Sequence, residues 1–287
     1  MKCFCLVSIL FLFVSCNSVP ISVSPDTHIR EVELFPKNFS WQELAPGISF
    51  LQYEEKSIPL RWNMIKVNLN TPGLSLTSYP SKTEMDRQGV FPSISTKKFL
   101  KNTESVFAVN ATPFDYPYGF LFAKRRIVGL YIYQGEQLSP PVEKYAALLF
   151  SKHKTETLSA RILHSQKNIP ENIEYAYGGF YSILYEKNIQ KFKNTSLDSR
   201  MAAGVSKDGD ILFLIFVEGE SPYTSKGATF EETALILLNA GAYDAMQLDG
   251  GSSASMVVAG KEKLDSCLTL KPANIFGFKA SFPTNLD

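Results

Sequence analysis

The C-terminal third of the sequence contains two carboxylates and one arginine whose residue types and spacing suit catalysis. Glu218 and Asp249 each follow an apolar run, and Arg200 precedes another. Paired carboxylates can serve as general acid, general base or nucleophile, and an arginine can hold an anion such as a phosphate. Whether these groups act together depends on the elements that carry them.

The first of these elements is a predicted hairpin. Residues 201–205 and the continuous apolar run 211–217 are typical of strands, and the second is typical of a buried one. Asp208-Gly209 between them favours a two-residue turn. Counting outward from that turn places Arg200 opposite Val217, one residue before the first carboxylate.

A predicted helix follows the hairpin. Thr229 and Glu232 have the spacing of a capping box, which indicates a helix start. Gly241 is placed to end the helix, and residues 245–248 predict a further short strand. The sequence predicts the secondary structure of this hairpin–helix–strand unit more clearly than that of any other part of the chain.

The unit brings the charged residues to one edge. If strands 211–217 and 245–248 share a sheet, the intervening helix makes them run parallel. Glu218 and Asp249 then converge on one rim, where such sheets commonly bind ligands. Asn110, which also follows an apolar run, is a further candidate for this rim.

Other interpretations of these residues stay open. Asp249-Gly250-Gly251 suits a simple turn, Arg200 suits a salt bridge to Glu218, and Asn110 suits a turn cap. Ser252 and Ser253 do not form the Gly-x-Ser-x-Gly motif of a serine nucleophile, so that chemistry is excluded.

The N-terminus predicts export. Met1-Lys2, an apolar run from Cys3 to Val14 and Ser15 before Cys16 form the pattern of a signal peptide. The apolar run is shorter than the roughly 20 residues of a spanning helix. A cysteine directly after the cleavage point favours a bacterial lipoprotein lipidated at Cys16, and a plain cleaved signal is the alternative.

Composition excludes several classes of protein. The formal net charge is +1, with no basic stripe, which argues against a nucleic-acid partner. The three histidines lack zinc-type spacing. The cluster Lys124-Arg125-Arg126 suits a solvated face or a substrate rim. Cys267, left without a partner in the mature chain, is interpreted as a small buried hydrophobe.

A set of short motifs fills the C-terminal third and, in order and spacing, resembles the phosphodiester glycosidase domain family. Two earlier segments also fit, 109–114 and 177–184, so the likeness extends over roughly residues 60 to 280 of a one-domain chain. The C-terminal motifs are Arg200-Met-Ala-Ala-Gly204, Asp208-Gly209, Gly227-Ala-Thr229, Glu232, Gly241-Ala242 and Leu248-Asp-Gly-Gly-Ser-Ser253.

The sequence departs from the family pattern in two places. Ala111-Thr112-Pro113 stands after Asn110 where the family has two glycines. Glu218-Gly219-Glu220 stands where many members have Asp-Gly-Arg, which lengthens the carboxylate by one methylene and removes a cation. These departures leave the fold assignment intact and bear on the substrate.

The resemblance implies an α+β fold, a single β-rich domain of mixed sheets flanked by a few helices. It implies hydrolysis of a sugar-1-phosphodiester, with a carbohydrate-phosphate substrate, no required cofactor and room for a divalent cation. Arg200 would hold the phosphate, and Asp249 and Glu218 would act as base, nucleophile or sugar anchor. The implied substrate-binding residues are Asn110, Thr112, Gly179, Thr229, Gly250, Gly251 and Ser252.

The predicted organisation is a signal peptide at 1–15, a lipidated N-terminus and tether at 16–45, and the domain at 46–287. The protein is expected on the periplasmic or surface face of a bacterial membrane. Two competing functions remain: an envelope lipoprotein that binds sugar phosphates or wall glycans without cleaving them, which the segment 218–220 favours, and a structural envelope protein.

Overall fold

The chain folds mainly into short strands. The structure is a computed structural model, and it describes residues 29–30, 33–153, 155–260, 264–265 and 270–281. The helices of these ranges are α1 (Thr96–Thr103), α2 (Phe230–Ala240) and two 3-10 helices (Lys82–Glu84 and Gly251–Ser253). The strands are β1 (Gln42–Ala45), β2 (Ile48–Glu55), β3 (Leu60–Asn68), β4 (Leu74–Tyr79), β5 (Val90–Pro92), β6 (Phe107–Asn110), β7 (Phe114–Asp115), β8 (Lys124–Ile127), β9 (Tyr131–Tyr133), β10 (Glu136–Ser139), β11 (Ala147–Lys152), β12 (Leu158–Leu163), β13 (Tyr175–Gly178), β14 (Ser182–Tyr185), β15 (Asn188–Ile189), β16 (Arg200–Val205), β17 (Ile211–Val217), β18 (Asp244–Gln247), β19 (Ser255–Val258), β20 (Leu264–Asp265) and β21 (Ile275–Ala280).

These strands form four sheets. The main sheet has eight strands in the order β1-β2-β3-β17-β16-β18-β14-β15. Two five-stranded sheets have the orders β10-β9-β13-β11-β12 and β20-β19-β6-β21-β4, and a three-stranded sheet has β5-β8-β7. Within the described ladders, for example β16 with β17 and with β18, neighbours run antiparallel. The β-rich architecture with few helices confirms the predicted α+β class.

The hairpin β16–β17 has the predicted register, with Arg200 opposite Val217. Its turn is longer than predicted. The N–H of Ser206 donates to the carbonyl of Ile211 at 2.9 Å, so residues 207–210 form a four-residue loop. The register is unchanged because the longer loop is centred on the same two residues as the predicted turn.

Helix α2 connects β17 to β18 and begins at the predicted capping box. Thr229 Oγ1 accepts from the N–H of Glu232 at 3.1 Å, and the Glu232 carboxylate accepts from the N–H of Thr229 at 3.0 Å. Gly241 ends the helix in a left-handed conformation, φ 112°. Since β17 and β18 flank β16 and both run against it, their carboxyl ends lie at one edge, as predicted.

Two apolar cores lie on opposite faces of the main sheet. The larger core fills the space between this sheet and the other three, with Leu214, Val109, Tyr177 and Ile127 as examples from the four sheets. The second core lies beneath α2 and includes Trp62, Ile215 and Leu237. Asn110 at the end of β6 donates to the carbonyl of Asp249, so the strand ends near Asp249 lie next to the sheet that contains β6.

The folded part of the chain begins before the predicted boundary at residue 46. β1 pairs with β2, and Leu34 is buried, its carbonyl accepting a hydrogen bond from Trp62 Nε1 at 3.0 Å. Strand pairing and this buried contact hold residues 34 and 42–45 against the domain, although the composition of this segment indicated a tether. The predicted signal peptide and Cys16 lie outside the described residues. Among the described helices, none is long and apolar enough to span a bilayer.

Candidate active site

Three chain segments meet side by side at one end of the central strands of the main sheet, and this end is called the active edge below. They are 218–219 after β17, 198–199 before β16 and 249–251 after β18. The N–H of Gly251 donates to the carbonyl of Ser199 at 2.9 Å. A Cβ on Gly219 would lie 2.3 Å from the nitrogen of Ser199, so only glycine allows this approach. The two predicted carboxylates thus sit on segments that both contact Ser199.

The carboxyl group of Asp249 has a raised pKa. The residue is half-buried, but its Oδ2 atom is shielded from solvent and has no hydrogen-bond partner among the residues the structure describes. Burial raises the pKa of Asp249 from its ordinary value of 3.8 to about 7, and a hydrogen bond with Ser253 lowers it in part. Such a carboxyl can hold or release a proton near neutral pH.

Asn110 fixes the backbone that carries this carboxyl. Its Nδ2 donates to the carbonyl of Asp249, and its Oδ1 accepts from the N–H of Ser255, both at 2.8 Å. The N–H of Asp249 in turn donates to the carbonyl of Ala111 at 2.8 Å. The predicted Asn110 therefore lies beside Asp249, fully buried, with both ends of its amide on the backbone.

Tyr116 interacts electrostatically with Asp249 and packs against Arg125. The Arg125 guanidinium carbon lies 4.3 Å from the centre of the Tyr116 ring, and Arg125 is only 7% exposed. Burial raises the pKa of Tyr116, Arg125 lowers it and Asp249 raises it, so this phenol lies within the field of both charges. Tyr116 Oη and Arg125 Nε are buried without partners among the described residues.

Further polar atoms without partners face the same edge. Within the described ranges, Asn63 Oδ1, Ser199 Oγ and Gln247 Oε1 are buried and unpaired. Buried polar groups in folded proteins are normally satisfied by protein, water or ligand. Asn63 also donates weakly to Glu218 Oε1, at 3.4 Å, which orients the second carboxylate.

Arg200 lies on the helix-facing side of the sheet. Its Nε donates to the carbonyl of Ala228 at 2.8 Å, and its Nη2 to that of Ser196 at 2.7 Å. Its guanidinium carbon lies 4.2 Å from the centre of the Phe230 ring, at the start of α2. These contacts join β16 to the start of the helix.

The remaining predicted residues fall into two groups. Gly250, Gly251 and Ser252 follow Asp249 directly, and a Cβ on Gly250 would lie 3.0 Å from the carbonyl of Ser199. Thr112 and Gly179 are buried: Thr112 exchanges two hydrogen bonds with Asn274, and Gly179 donates to the carbonyl of Ala146 at 2.9 Å. Thr229 is the buried cap of α2.

The comparison of sequences decides the family. The model of the phosphodiester glycosidase family matches residues 103–278, which hold the β16–α2–β18 unit and Asp249. The chain belongs to the phosphodiester glycosidase family. No curated protein matches the chain.

Several solved structures share the fold of this chain. A Burkholderia pseudomallei protein, thought to be exported, has TM-score 0.62 and 12% identity over 76% of this chain and 74% of its own. A hypothetical protein from Synechocystis has TM-score 0.58 and 16% identity over 82% and 62%. The catalytic domain of zebrafish N-acetylglucosamine-1-phosphodiester alpha-N-acetylglucosaminidase, auto-inhibited by its pro-peptide, has TM-score 0.56 and 18% identity over 80% and 81%. At these levels of sequence identity, the similarity shows a shared fold only.

Tyr116 and the position of Arg125 in the candidate site could not be identified from the sequence alone. The cluster 124–126 was interpreted only generally, as a solvated face or substrate rim. One usable signal exists, since Arg125 and Arg126 must point to opposite faces of a strand. Arg126 is exposed and pairs with Asp115, whereas Arg125 is buried.

Groups of three or more His, Cys, Asp and Glu side chains suited to a metal do not occur in the described part of the chain. Room for a divalent cation beside the carboxylates stays a prediction, and Cys267 lies outside the described residues.

Proposed function

We propose that this phosphodiester glycosidase hydrolyses a sugar-1-phosphodiester, breaking the bond between the anomeric carbon and the phosphate oxygen. The observation that carries the proposal is the Asp249 carboxyl, whose buried Oδ2 has no partner in the described chain and whose pKa is about 7. Family membership supports it, as does the fold shared with a zebrafish enzyme named for a sugar-1-phosphodiester.

Asp249 supplies the proton in this proposal. As the anomeric carbon–oxygen bond breaks, the protonated carboxyl donates to the departing phosphate oxygen. A phosphomonoester has a second pKa of about 6, close to that of Asp249, which favours the transfer. Water adds to the anomeric carbon, and Glu218 takes the proton of that water. Two carboxylates acting on an oxocarbenium-like transition state are usual in glycoside hydrolysis.

Arg125 is the proposed phosphate ligand. It is a buried cation beside Tyr116, and its Nε is unpaired within the described residues. Arginine suits phosphate because its fork of N–H groups matches two phosphate oxygens. The family resemblance implies Arg200 as the phosphate ligand. We propose it instead as a positioning residue, because its N–H groups donate to carbonyls near α2.

The residues around the two carboxylates have supporting roles in the proposal. Asn110 positions Asp249 through the backbone, and Thr112 and Thr229 hold the neighbouring segments. Gly250, Gly251 and Ser252, which follow Asp249 directly, contact the sugar or phosphate. The close approach of Gly250 to Ser199 leaves little room for a side chain there. No cofactor is required for these steps.

We further propose that the protein acts in a bacterial cell envelope, exported and anchored by lipid on Cys16. The support is the N-terminal sequence pattern and the related structure thought to be exported. A Cys16→Ser variant is expected to leave the membrane fraction of expressing cells. Retention of that variant in the membrane fraction would contradict an anchor at Cys16.

The direct test of the activity uses a panel of sugar-1-phosphodiesters and measures free sugar. Wild type is expected to release sugar, whereas Asp249→Asn and Glu218→Gln lose at least about a hundredfold in kcat. Asp208→Asn, in the exposed loop at the opposite end of the hairpin, is the matched control and keeps full activity. Binding of these compounds without release, abolished in Asp249→Asn, would instead indicate a binding protein.

A further inference from the structure

The loop between β7 and β8 projects apolar side chains into solvent. Phe120 and Phe122 are each 60% exposed, and Leu121 between them is 96% exposed. Tyr118 on the same loop is 39% exposed. An apolar residue that exposed cannot line a groove, so the three residues 120–122 form a convex tip. Clustered exposed apolar side chains of this kind usually mark an interaction surface.

The loop is held in this shape by its own contacts. Gly119 has φ of 92° and donates to the carbonyl of Tyr116 at 3.1 Å, which turns the chain. The Tyr116 and Phe120 rings lie 5.2 Å apart. Arg125 Nη1 donates to the carbonyl of Phe122 at 2.6 Å. The tip is therefore presented by a braced loop that keeps its side chains outward.

Positive charge surrounds the base of the loop. Arg87 and Lys124 lie over the Tyr118 ring, at 5.0 and 5.7 Å. Asp86 pairs with Lys124, and Asp115 pairs with Arg126. Three cations that are not buried, Arg87, Lys124 and Arg126, and two carboxylates make these contacts, so the base of the loop carries excess positive charge. An apolar tip above a tyrosine and basic residues is the arrangement that inserts into the interface of an anionic bilayer.

We propose that loop 116–123 docks the protein on an anionic phospholipid bilayer, with Phe120, Leu121 and Phe122 inserted among the lipids. The convex shape of the tip and the positive charge around the base of the loop favour a bilayer over a protein groove as the binding partner. Tyr116, at the root of the loop, lies beside Arg125 and within the field of Asp249. Docking therefore turns the candidate active site toward the bilayer surface.

From this orientation we infer a class of substrate, and this inference rests on the proposed function. The substrate is a sugar-1-phosphodiester whose alcohol is a lipid held in the bilayer. Its phosphate lies at the depth of the lipid headgroups, where Arg125 meets it, and the acyl or alkyl chain stays among the lipids. The enzyme then has no need to extract the apolar part into water.

Docking is tested by fluorescence of Leu121→Trp in the whole chain with vesicles that contain anionic and brominated lipids. Bromine on acyl chains quenches a tryptophan only when the tryptophan enters the bilayer. The chain has two other tryptophans, Trp41 and Trp62, so wild type gives the background whatever the N-terminus does. Tyr185→Trp, an exposed aromatic on β14 near the opposite edge, is the matched control.

The expected result is strong quenching of Leu121→Trp and background quenching of wild type and Tyr185→Trp. Quenching of Leu121→Trp no stronger than that of Tyr185→Trp overturns the docking proposal. Association of the chain with itself that Leu121→Ser abolishes in the absence of lipid would also overturn it, because the tip would then belong to a protein interface.

The substrate class is tested with two diesters of one sugar, a soluble methyl diester and a long-chain alkyl diester in vesicles. Leu121→Ser with Phe122→Ser is expected to lose at least about tenfold in rate on the vesicle substrate, with the methyl diester unaffected. Equal loss on both substrates contradicts a lipid-borne substrate. Failure of wild type on every diester contradicts the proposed function, whereas the quenching result stands apart from it.

Discussion

At the residue scale, Asp249 owes its chemistry to residues distant in the sequence. Its position after a short strand was predictable, because the apolar run 245–248 and the following glycines are local signals. The raised pKa was not, since it comes from burial in the folded chain, where Asp249 lies next to segments distant in the sequence such as Asn110–Ala111. Nothing within the local sequence reports that burial.

The raised pKa predicts how stability depends on pH. The folded protein holds the Asp249 proton up to about pH 7 and the unfolded chain releases it near 3.8, so this stabilisation is complete below 3.8 and is lost as pH rises toward 7. At about 1.4 kcal/mol per pKa unit, the ionised form costs on the order of 4 kcal/mol. Asp249→Asn is expected to gain stability over wild type at pH 8 relative to pH 4, measured by urea unfolding. An equal difference at both pH values would contradict the shift.

The two arginines make a second prediction at this scale. Arg125→Met is expected to raise KM for the diester about 10- to 100-fold, because it removes a charged contact to phosphate. Arg125→Lys should recover part of that loss. Arg200→Met should instead lower the free energy of unfolding, with a smaller change in KM per folded molecule. If Arg200→Met has the larger effect on KM, Arg200 is the phosphate ligand.

The side chain of Arg200 illustrates what strand periodicity can add. In β16, Arg200 and Ala202 share a face, and Ala202 packs in the core beneath α2. Alternation along the strand therefore turns Arg200 toward the helix even though its backbone stands at the active edge. Counting the register placed the residue correctly but did not choose the face.

At the element scale, the hairpin and the helix were predictable because their signals are local. The apolar run, Asp208-Gly209 and the capping box specified β17, the turn position and the start of α2. The length of the turn was not specified, since Asp-Gly serves both two- and four-residue loops.

The cap of α2 gives a prediction at this scale. Thr229→Ala removes the side-chain acceptor for the N–H of Glu232 and is expected to cost about 1 kcal/mol of stability. Thr229→Ser should restore it. Thermal unfolding and KM measured together separate two roles, because loss of a cap leaves KM unchanged. A KM that rises in Thr229→Ala with unaltered stability would make Thr229 a substrate contact.

At the scale of the whole molecule, the pairing of the sheets could not be predicted. β6 pairs with β19 and β21, strands more than a hundred residues away, and no turn signal connects them. Short, mainly apolar runs such as 107–110 indicate strands, but they do not indicate which strands pair with them. The class of fold was predictable from pattern and family motifs, whereas the meeting of the main sheet with the β6 sheet at Asp249 required the structure.

The shared core predicts cooperative unfolding. Phe150 is buried where aromatic rings of two five-stranded sheets meet, 6.2 Å from Tyr177 and 6.1 Å from Phe276. Phe150→Ala is expected to cost about 3–5 kcal/mol, with backbone and aromatic circular dichroism changing together during denaturation. Separate transitions for the two signals would contradict one core spanning the sheets.

The central proposal is that the protein hydrolyses a sugar-1-phosphodiester at the anomeric carbon, with Asp249 as proton donor. Hydrolysis of a sugar-1-phosphodiester in water enriched in oxygen-18, followed by phosphorus NMR and mass spectrometry, tests it most directly. We expect the heavy oxygen in the released sugar and none in the phosphomonoester, with product formed at least about a hundredfold more slowly by Asp249→Asn. Heavy oxygen in the phosphate, or full activity of Asp249→Asn, would contradict it.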